Sequence, residues 1–386
     1  MAITALVWTG AAQAQGSVTL YGVADAGIEF LTHADTSNHS LTRMTSGNLS
    51  GSRWGMRGTE DLGGGLNALF VLENGFDASS GKLGQGGLLF GRQAYVGVAS
   101  ANGVVTLGRQ YDSVVDFVGP LNVGAQWGGY YNAHPGDIDN LNNTNRVNNA
   151  IKFRSADYGG LSFGGVYGFG GVAGSAGRDQ IWSLGAGYGS GPLRLGVGYL
   201  SVNNPNTSFY GTGVLANTTG SAPLQTLTNI GSPVSSGYAS ARSEAVFAAG
   251  AAYSIGAATV GTTYSNTRFK DVGDLSSAPN PAGNRGTATF NNVELNFKYQ
   301  VSPAWVLGVA ADYARASGIH DASYRQFVIG ADYNLSMRTD VYAMAIYQKA
   351  SGVDSTGKRA VAAINGVRPS ADDSQAVLRV GLRHKF

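Results

Sequence analysis

Five histidines, 24 carboxylates and 26 lysines and arginines carry whatever chemistry this chain performs, because it contains no cysteine. That absence removes disulfides, thiol nucleophiles and cysteine-based zinc sites together. His33, His39, His134, His320 and His384 fall in expected loops or near the C-terminus, none at a spacing with Ser and Asp that suggests a triad. Histidines in loops are ordinarily solvated polar residues; His33 and His39 together would make only a weak metal site. Neither Gly63–Gly65 nor Gly84–Gly87 has the lysine and flanking helix of a phosphate loop. No enzyme, metal or cofactor is expected. A net charge of +2 without a basic run gives nucleic acid little to bind.

The arginines are patterned. Arg53 and Arg57 share one parity, with Trp54 and Met56 on the other. Arg146, Asn148, Lys152 and Arg154 oppose Val147, Ile151 and Phe153, while Arg379, Arg383 and Lys385 oppose Leu378, Val380, Leu382 and the terminal Phe386. A strand points alternate side chains to opposite faces, so each run is a ribbon with an apolar side and a cationic side. Guanidinium stays ionised at every relevant pH, which makes such a face a fixed positive field.

The same alternation recurs along the chain. Val18, Leu20, Ala24, Ala26, Ile28 and Phe30 oppose Thr19, Tyr21, Asp25 and Glu29; Val293, Leu295, Phe297 and Tyr299 oppose Asn292, Glu294, Asn296 and Lys298. Arg325 is an exception, lying on the apolar parity of Phe327, Ile329, Ala331 and Tyr333. Short turns are expected at Asp61–Gly65, Ser100–Gly103, Ala156–Gly160, Gly189–Pro192, Ser254–Gly256, Val301–Ala304 and Asn334–Met337. Between them lie long polar stretches at 31–48, 77–88, 112–145, 170–179, 203–242, 269–287, 314–322 and 350–375. Seven short turns and eight long stretches make fifteen connections and therefore sixteen strands. The 58 glycines suit many turns and small wall residues, and 19 tyrosines with 15 phenylalanines argue against disorder.

Sixteen strands closed into one barrel leave a lumen too wide for side chains to fill, so the apolar faces must point outward into lipid. There is no run of about 18 apolar residues to make a spanning helix, but barrel strands need only about 9–11 residues, alternately apolar. Short connections on one side and long ones on the other complete the pattern of an outer-membrane barrel. The fold class is all-β, a 16-stranded antiparallel transmembrane β-barrel in the cell outer membrane. Residues 1–14 read as the remnant of an export signal, with Ala12-Gln13-Ala14 as a small-x-small cleavage site and the barrel occupying 15–386. Phe386 at the end of an amphipathic strand reads as the signal taken by the barrel-assembly machinery.

LYGVADAG at 20–27, SRWGMRGTEDLGGGL at 52–66, GRQAYVGV at 91–98 and GVVTLGRQYD at 103–112 resemble the general trimeric porins of Gram-negative bacteria, closest to the betaproteobacterial branch. The resemblance implies a homotrimer of sixteen-stranded barrels in outer-membrane lipid and lipopolysaccharide, each with its third loop, here 112–145, folded inward. It implies that Arg53, Arg92 and Arg146 form the cationic wall of a pore constriction. The loop position that holds a glutamate in enteric relatives is Gln126 here, and an upstream aspartate falls at Asn122, leaving Asp116 as the nearest loop carboxylate. Arg109 shares parity with Val105 and Leu107. Facing lipid near the midplane would cost it about 2–4 kcal/mol, which points to the trimer interface unless a local bulge returns it to the lumen.

The expected function is a water-filled channel for passive diffusion of small hydrophilic solutes and ions, with a preference for anions. Two alternatives stand beside it: a channel selective for small organic anions or phosphate, and a structural or adhesion barrel whose long loops bind a partner.

Overall fold

The computed structural model describes residues 17–35, 37–213, 229–276 and 278–386. The expected export segment 1–14, and part of the long stretch 203–242, lie outside them. Seventeen strands are present among the described residues: β1 Ser17–Leu31, β2 Leu41–Ser46, β3 Arg53–Gly63, β4 Leu66–Gly75, β5 Gln93–Ser100, β6 Gly103–Gln110, β7 Val147–Ser155 and β8 Leu161–Gly168. They continue as β9 Ile181–Ser190, β10 Leu193–Asn203, β11 Ser243–Ile255, β12 Ala258–Val272 and β13 Gly286–Gln300. The last four are β14 Trp305–Ser317, β15 Ala322–Asn334, β16 Thr339–Gly352 and β17 Ser374–Lys385.

Each strand pairs antiparallel with its neighbours, and β17 returns to β1 through Val23–Leu31, closing the sheet. The barrel nevertheless has sixteen staves. β2 pairs with the upper part of β1 (Ala26–Leu31) and β3 with the lower part (Ser17–Val23), so the two strands form one interrupted stave. Asp25 causes the interruption: its carboxylate accepts the Ser50 amide and its backbone carbonyl accepts the Ser52 hydroxyl, tying down the bend between β2 and β3. The bend aims Arg53, the first residue of β3, at the lumen, and its Nη1 donates to the Gly51 carbonyl at 2.9 Å.

The seven short turns fall where the sequence places them. The stretch 314–322 does not form a long loop: β14 runs to Ser317 and β15 starts at Ala322, leaving four residues between them. Its inward residues are the small, buried Ala314, Ala316 and Ala322, which pack beneath Tyr238 and Tyr324, while Arg315 faces outward. Alternation between alanine and polar residues therefore hides a strand that the composition reads as a loop.

Outside, the large apolar residues of alternate positions, Leu20, Val96, Leu195 and Ile329 among them, are exposed, as a lipid-facing wall requires. The buried apolar clusters lie instead where loops fold into the barrel mouth, around Tyr238, Phe269 and Phe290, around Val114 and Val118, and around Tyr131 and Ile364. At the seam, Phe386 exchanges backbone hydrogen bonds with Gly22 in both directions, at 2.9 and 3.0 Å. Its ring covers that glycine so closely that a Cβ at residue 22 would clash with Phe386 Cζ. Gly22→Val should therefore displace the ring at an overpacking cost of about 1–3 kcal/mol, lowering the temperature at which the folded band is lost on gels. An unchanged transition would mean that the ring does not clamp the seam.

Candidate functional site

The segment between β6 and β7 enters the lumen and crosses it. It opens with a five-residue helix, α1, Ser113–Phe117, capped by Asp112, whose Oδ1 accepts the Val114 and Val115 amides at 2.7 and 3.1 Å. Asp112 Oδ2 accepts Asn140 Nδ2 at 2.7 Å, joining the outgoing arm of the loop to its return arm. Burial pushes the Asp112 carboxyl up to about 6 despite these donors.

Glycines on the inner wall make the seat. A Cβ at Gly196 would run into the Phe117 carbonyl oxygen, and one at Gly308 would run into the Trp127 ring. Much of the glycine on the inner face of β9, β10 and β14 therefore marks where the third loop lies against the wall.

The far end of the loop is anchored by charge. His134 is 1% exposed; its Nδ1 lies 2.5 Å from Asp139 Oδ2, and its Nε2 lies 3.6 Å from Glu294 and 3.5 Å from Asp312. Burial works against the charged ring, yet the carboxylates of Asp139 and Asp312 hold His134 well above the usual histidine range. Burial likewise opposes ionisation of Asp139, and His134 reverses it, so this carboxyl lies below its ordinary value. Sequence reading treats His134 as one more loop histidine. Its partners Glu294 and Asp312 sit on the inward parity of β13 and β14, and only closure of the barrel brings them to it. Asp137 shapes the return arm, accepting Asn142 N at 3.0 Å and Thr144 Oγ1 at 2.6 Å, and burial followed by the Asp139 charge raises it to about 7. A second anchor joins Tyr131 to Glu29, which also holds Arg43 at 2.6 Å and Arg379 at 3.3 Å.

Between the loop and the β2–β5 wall remains a cavity of about 750 Å³, lined by Arg53, Arg92 and Arg146 on one side. Pro120, Gly124, Ala125 and the return-arm residues Asn142, Asn143 and Thr144 face them. No carboxylate among the described residues lines it. Glu73 lies behind the arginines, 5% exposed, with Oε1 2.7 Å from Arg92 Nε and Oε2 3.8 Å from Arg53 Nε. Arg146 donates to the Thr144 carbonyl at 2.8 Å and lies over the Tyr111 ring; burial and the nearby Arg92 charge lower it to about 10, still ionised at neutral pH.

The other residues singled out in the sequence lie elsewhere. Asp116 is paired with Lys152. Asn122 is buried inside the loop, donating to the Leu141 carbonyl at 3.0 Å and accepting the Ala125 amide at 2.9 Å. Gln126 turns to the far wall beside Gly261 and donates to the Leu121 carbonyl at 2.8 Å. Arg109 sits at a register shift between Gly108 and Gln110, and its guanidinium bonds Gly91 O at 2.8 Å and Asn148 Oδ1. The bulge thus gives Arg109 partners within its own chain, and the cost that argued for a neighbouring protomer is met locally.

Two outcomes follow for the loop. His134→Ala strands three buried carboxylates, a loss of about 3–5 kcal/mol by analogy with broken buried ion pairs. It should make 112–145 protease-sensitive and raise open-channel noise while the barrel still forms; a quiet, resistant loop would refute the anchor. Asp112 and Asp137, raised on folding, contribute stability that is full below about 4 and lost as pH rises toward 7. Protection of the loop from protease should accordingly be greater at pH 5 than at pH 8, and Asp137→Asn should flatten that difference.

Comparison with known proteins agrees with this architecture. A family model described as Gram-negative porin matches residues 2–353. An outer membrane porin protein of Bordetella pertussis is 29% identical, covering 98% of this chain and 97% of its own length. Outer membrane porin protein 32 of Delftia acidovorans is 28% identical, covering 100% of this chain and 99% of its own. Among solved structures, an anion-selective porin from Comamonas acidovorans superposes with a TM-score of 0.73 at 22% identity, over 96% of this chain and 100% of that one. A closed sixteen-stave barrel with an apolar exterior and a loop laid across its lumen, matched along nearly its whole length, places this chain in the Gram-negative porin family, as a channel protein of the outer membrane.

Proposed function

We propose that the cavity beside Arg53, Arg92 and Arg146 is the constriction of a diffusion channel that favours anions over cations of similar size. The observation that carries this reading is the charge count at that cavity: three arginines, one carboxylate behind them, and none on the facing loop residues. At physiological salt the screening length is about 8 Å, so the field of the wall reaches across a narrow opening. Low-dielectric walls concentrate it and raise the local anion concentration. Gathering three arginines in one cavity also suits a channel that binds small organic anions or phosphate, and a conductance that saturates with such solutes would select that reading.

We assign no catalytic step. His134 has carboxylates against both ring nitrogens, which leaves neither to take a proton from a nucleophile. Residues 1–14 are proposed to be removed on export and Phe386 to be read during assembly.

We also infer a homotrimer. Outward aromatics ring the short-turn side of the barrel at Phe163, Tyr188, Tyr253, Tyr299, Trp305 and Tyr333. The outward faces of β4, β5 and β6 carry no tyrosine or tryptophan; residues such as Val96, Val98, Val105 and Leu107 form an aliphatic wall there. Aromatics mark the lipid interface, so a sector whose one outward aromatic is Phe70 suits contact with another protomer. Mild extraction should yield a heat-modifiable trimer; a stable monomer would remove this reading.

The charge reading is tested by the zero-current potential across a salt gradient. Chloride should permeate better than potassium, with the preference fading as the screening length falls from about 30 Å at 0.01 M to about 3 Å at 1 M. Arg53→Gln with Arg92→Gln should move the potential toward zero. Ala125→Glu, at an exposed loop position facing the arginines, should do the same, whereas Asn122→Asp acts inside the loop and should not. A wild-type channel that prefers potassium would sink the assignment.

A further inference from the structure

The two sides of the cavity beside Arg53, Arg92 and Arg146 differ in more than charge. Arg92 Nε is bonded to Glu73 and its Nη2 to the Tyr111 hydroxyl, while Arg53 Nη1 donates to the Gly51 carbonyl. Arg92 Nη1 and Arg53 Nη2 make no hydrogen bond among the described residues, and both side chains line the cavity. Gly51 keeps the wall open beside them, since a Cβ there would stand 3.1 Å from Arg92 Nη1. This side therefore offers guanidinium donors to an oxyanion, the charge-assisted and stronger kind of hydrogen bond.

The loop side offers little of this kind. Val114 and Phe117 of α1 pack against the wall at Gly198 and Gly185, which leaves Val115 half-exposed in the cavity. Leu121 lies against Gly196 and Gly250, and the neighbouring Pro120 ring is exposed to the same space. Ala125 is exposed there too, while Asn122 and Gln126 turn their side-chain amides to loop carbonyls. Backbone donors are withdrawn as well. The Val115 amide is bonded to Asp112 at 3.1 Å, the Ala125 amide to Asn122 at 2.9 Å, and Pro120 has no N–H. Uncharged Asn142, Asn143 and Thr144 line the return arm, and the Thr144 hydroxyl donates to Asp137 at 2.6 Å.

A passage with ionic donors on one wall and aliphatic surface on the other suits one kind of solute. Phosphate, or an acid clothed in hydroxyls, finds donors on one side only, and the loop wall returns nothing for the water it displaces. A carboxylate with an apolar body uses both walls, its head on the guanidinium groups and its body on Val115, Pro120 and Ala125. Sites for organic ligands are built in this way, from largely apolar linings with a few placed polar groups.

We propose that this cavity selects monocarboxylates that carry an apolar body over phosphate and over hydroxylated acids of the same charge. The inference rests on the reading of the cavity as an anion-favouring constriction, and adds what the facing wall recognises. Retention must be loose, because a solute that binds in a channel must also leave. A methylene fully withdrawn from water is worth about fourfold in affinity, so contact with one wall gives about twofold.

The test is block of chloride current through the wild-type channel in a planar bilayer by acetate, butyrate, hexanoate, gluconate and phosphate, each as its potassium salt. From acetate to hexanoate the half-blocking concentration should fall about twofold for each added methylene. Gluconate shares the chain length and charge of hexanoate but has a hydroxylated body, and it should block at least about tenfold less well. In the variant Val115→Thr with Pro120→Ser, shown to be folded by its heat-modifiable band, the chain-length series should flatten. A flat series in wild type would overturn the proposal without any variant being needed. So would gluconate or phosphate matching hexanoate, no block by any of the five, or an unaltered slope in the folded variant. The zero-current potential in potassium chloride is read in the same bilayers. Chloride preference with a flat series removes this inference alone, whereas potassium preference removes the charge reading beneath it.

Discussion

Hydrocarbon offers no hydrogen-bond partner to a peptide group, and that single constraint organises the molecule. Every strand must have two neighbours, so the sheet closes through β1 and β17, and Phe386 completes the seam by pairing with Gly22. Closure at sixteen staves then creates a second problem. The ring is too wide to fill from its wall, and an unfilled lumen would pass nearly any small solute. The third loop resolves this from within. It can lie against the wall because the wall is cut back to glycine beneath it, and it stays there because charges are shared between loop and strands.

Those anchors are polar because the face they bind is polar. An outward apolar face leaves the inward parity to Asp25, Glu29, Glu294, Asp312 and Arg379, and a loop entering that space must satisfy them. His134 does so with one ring between three carboxylates. Tyr131 does so through Glu29, itself held by Arg43 and Arg379. Burial of such groups is costly unless each has a partner, so a loop fitted to this wall has few alternative seats.

Period-two alternation made the wall legible in the sequence, down to all seven short turns. It failed where alternation was masked. The inward alanines of 314–322 disguised two strand ends, and β2, Leu41–Ser46, lies inside the polar stretch 31–48 that the sequence reads as a loop, set off from β3 by the bend that Asp25 fixes. The inner arginines were legible for the same reason as the wall: Arg53 and Arg146 lie on or beside strands whose opposite parity is apolar. Inside the third loop there is no period to use. Position along the chain put Asn122 and Gln126 in the right segment, but local capping turned one into the loop and the Gly261 niche drew the other to the wall. His134 was invisible because Glu294 and Asp312 stand on strands far along the chain and meet it only when the barrel closes.

The distribution of partners separates two kinds of cation. Arg379 and Arg383 look as cationic as any residue in the sequence, yet Arg379 is enclosed by Glu29 and Asp25, and Arg383 by Asp340 and Asp332. Lys152 is cancelled by Asp116. Arg53 and Arg92 share a single carboxylate, Glu73, and Arg146 is close enough to Arg92 to be pulled down by its charge. Like charges held together with so little compensation raise the free energy of the fold, and among the described residues their remaining partners are backbone carbonyls and the Tyr111 side chain. What such an arrangement can do is act on the solution beside it. In the constriction we propose, that net positive field lies beside the inward-folded loop, where a fixed charge acts on what passes.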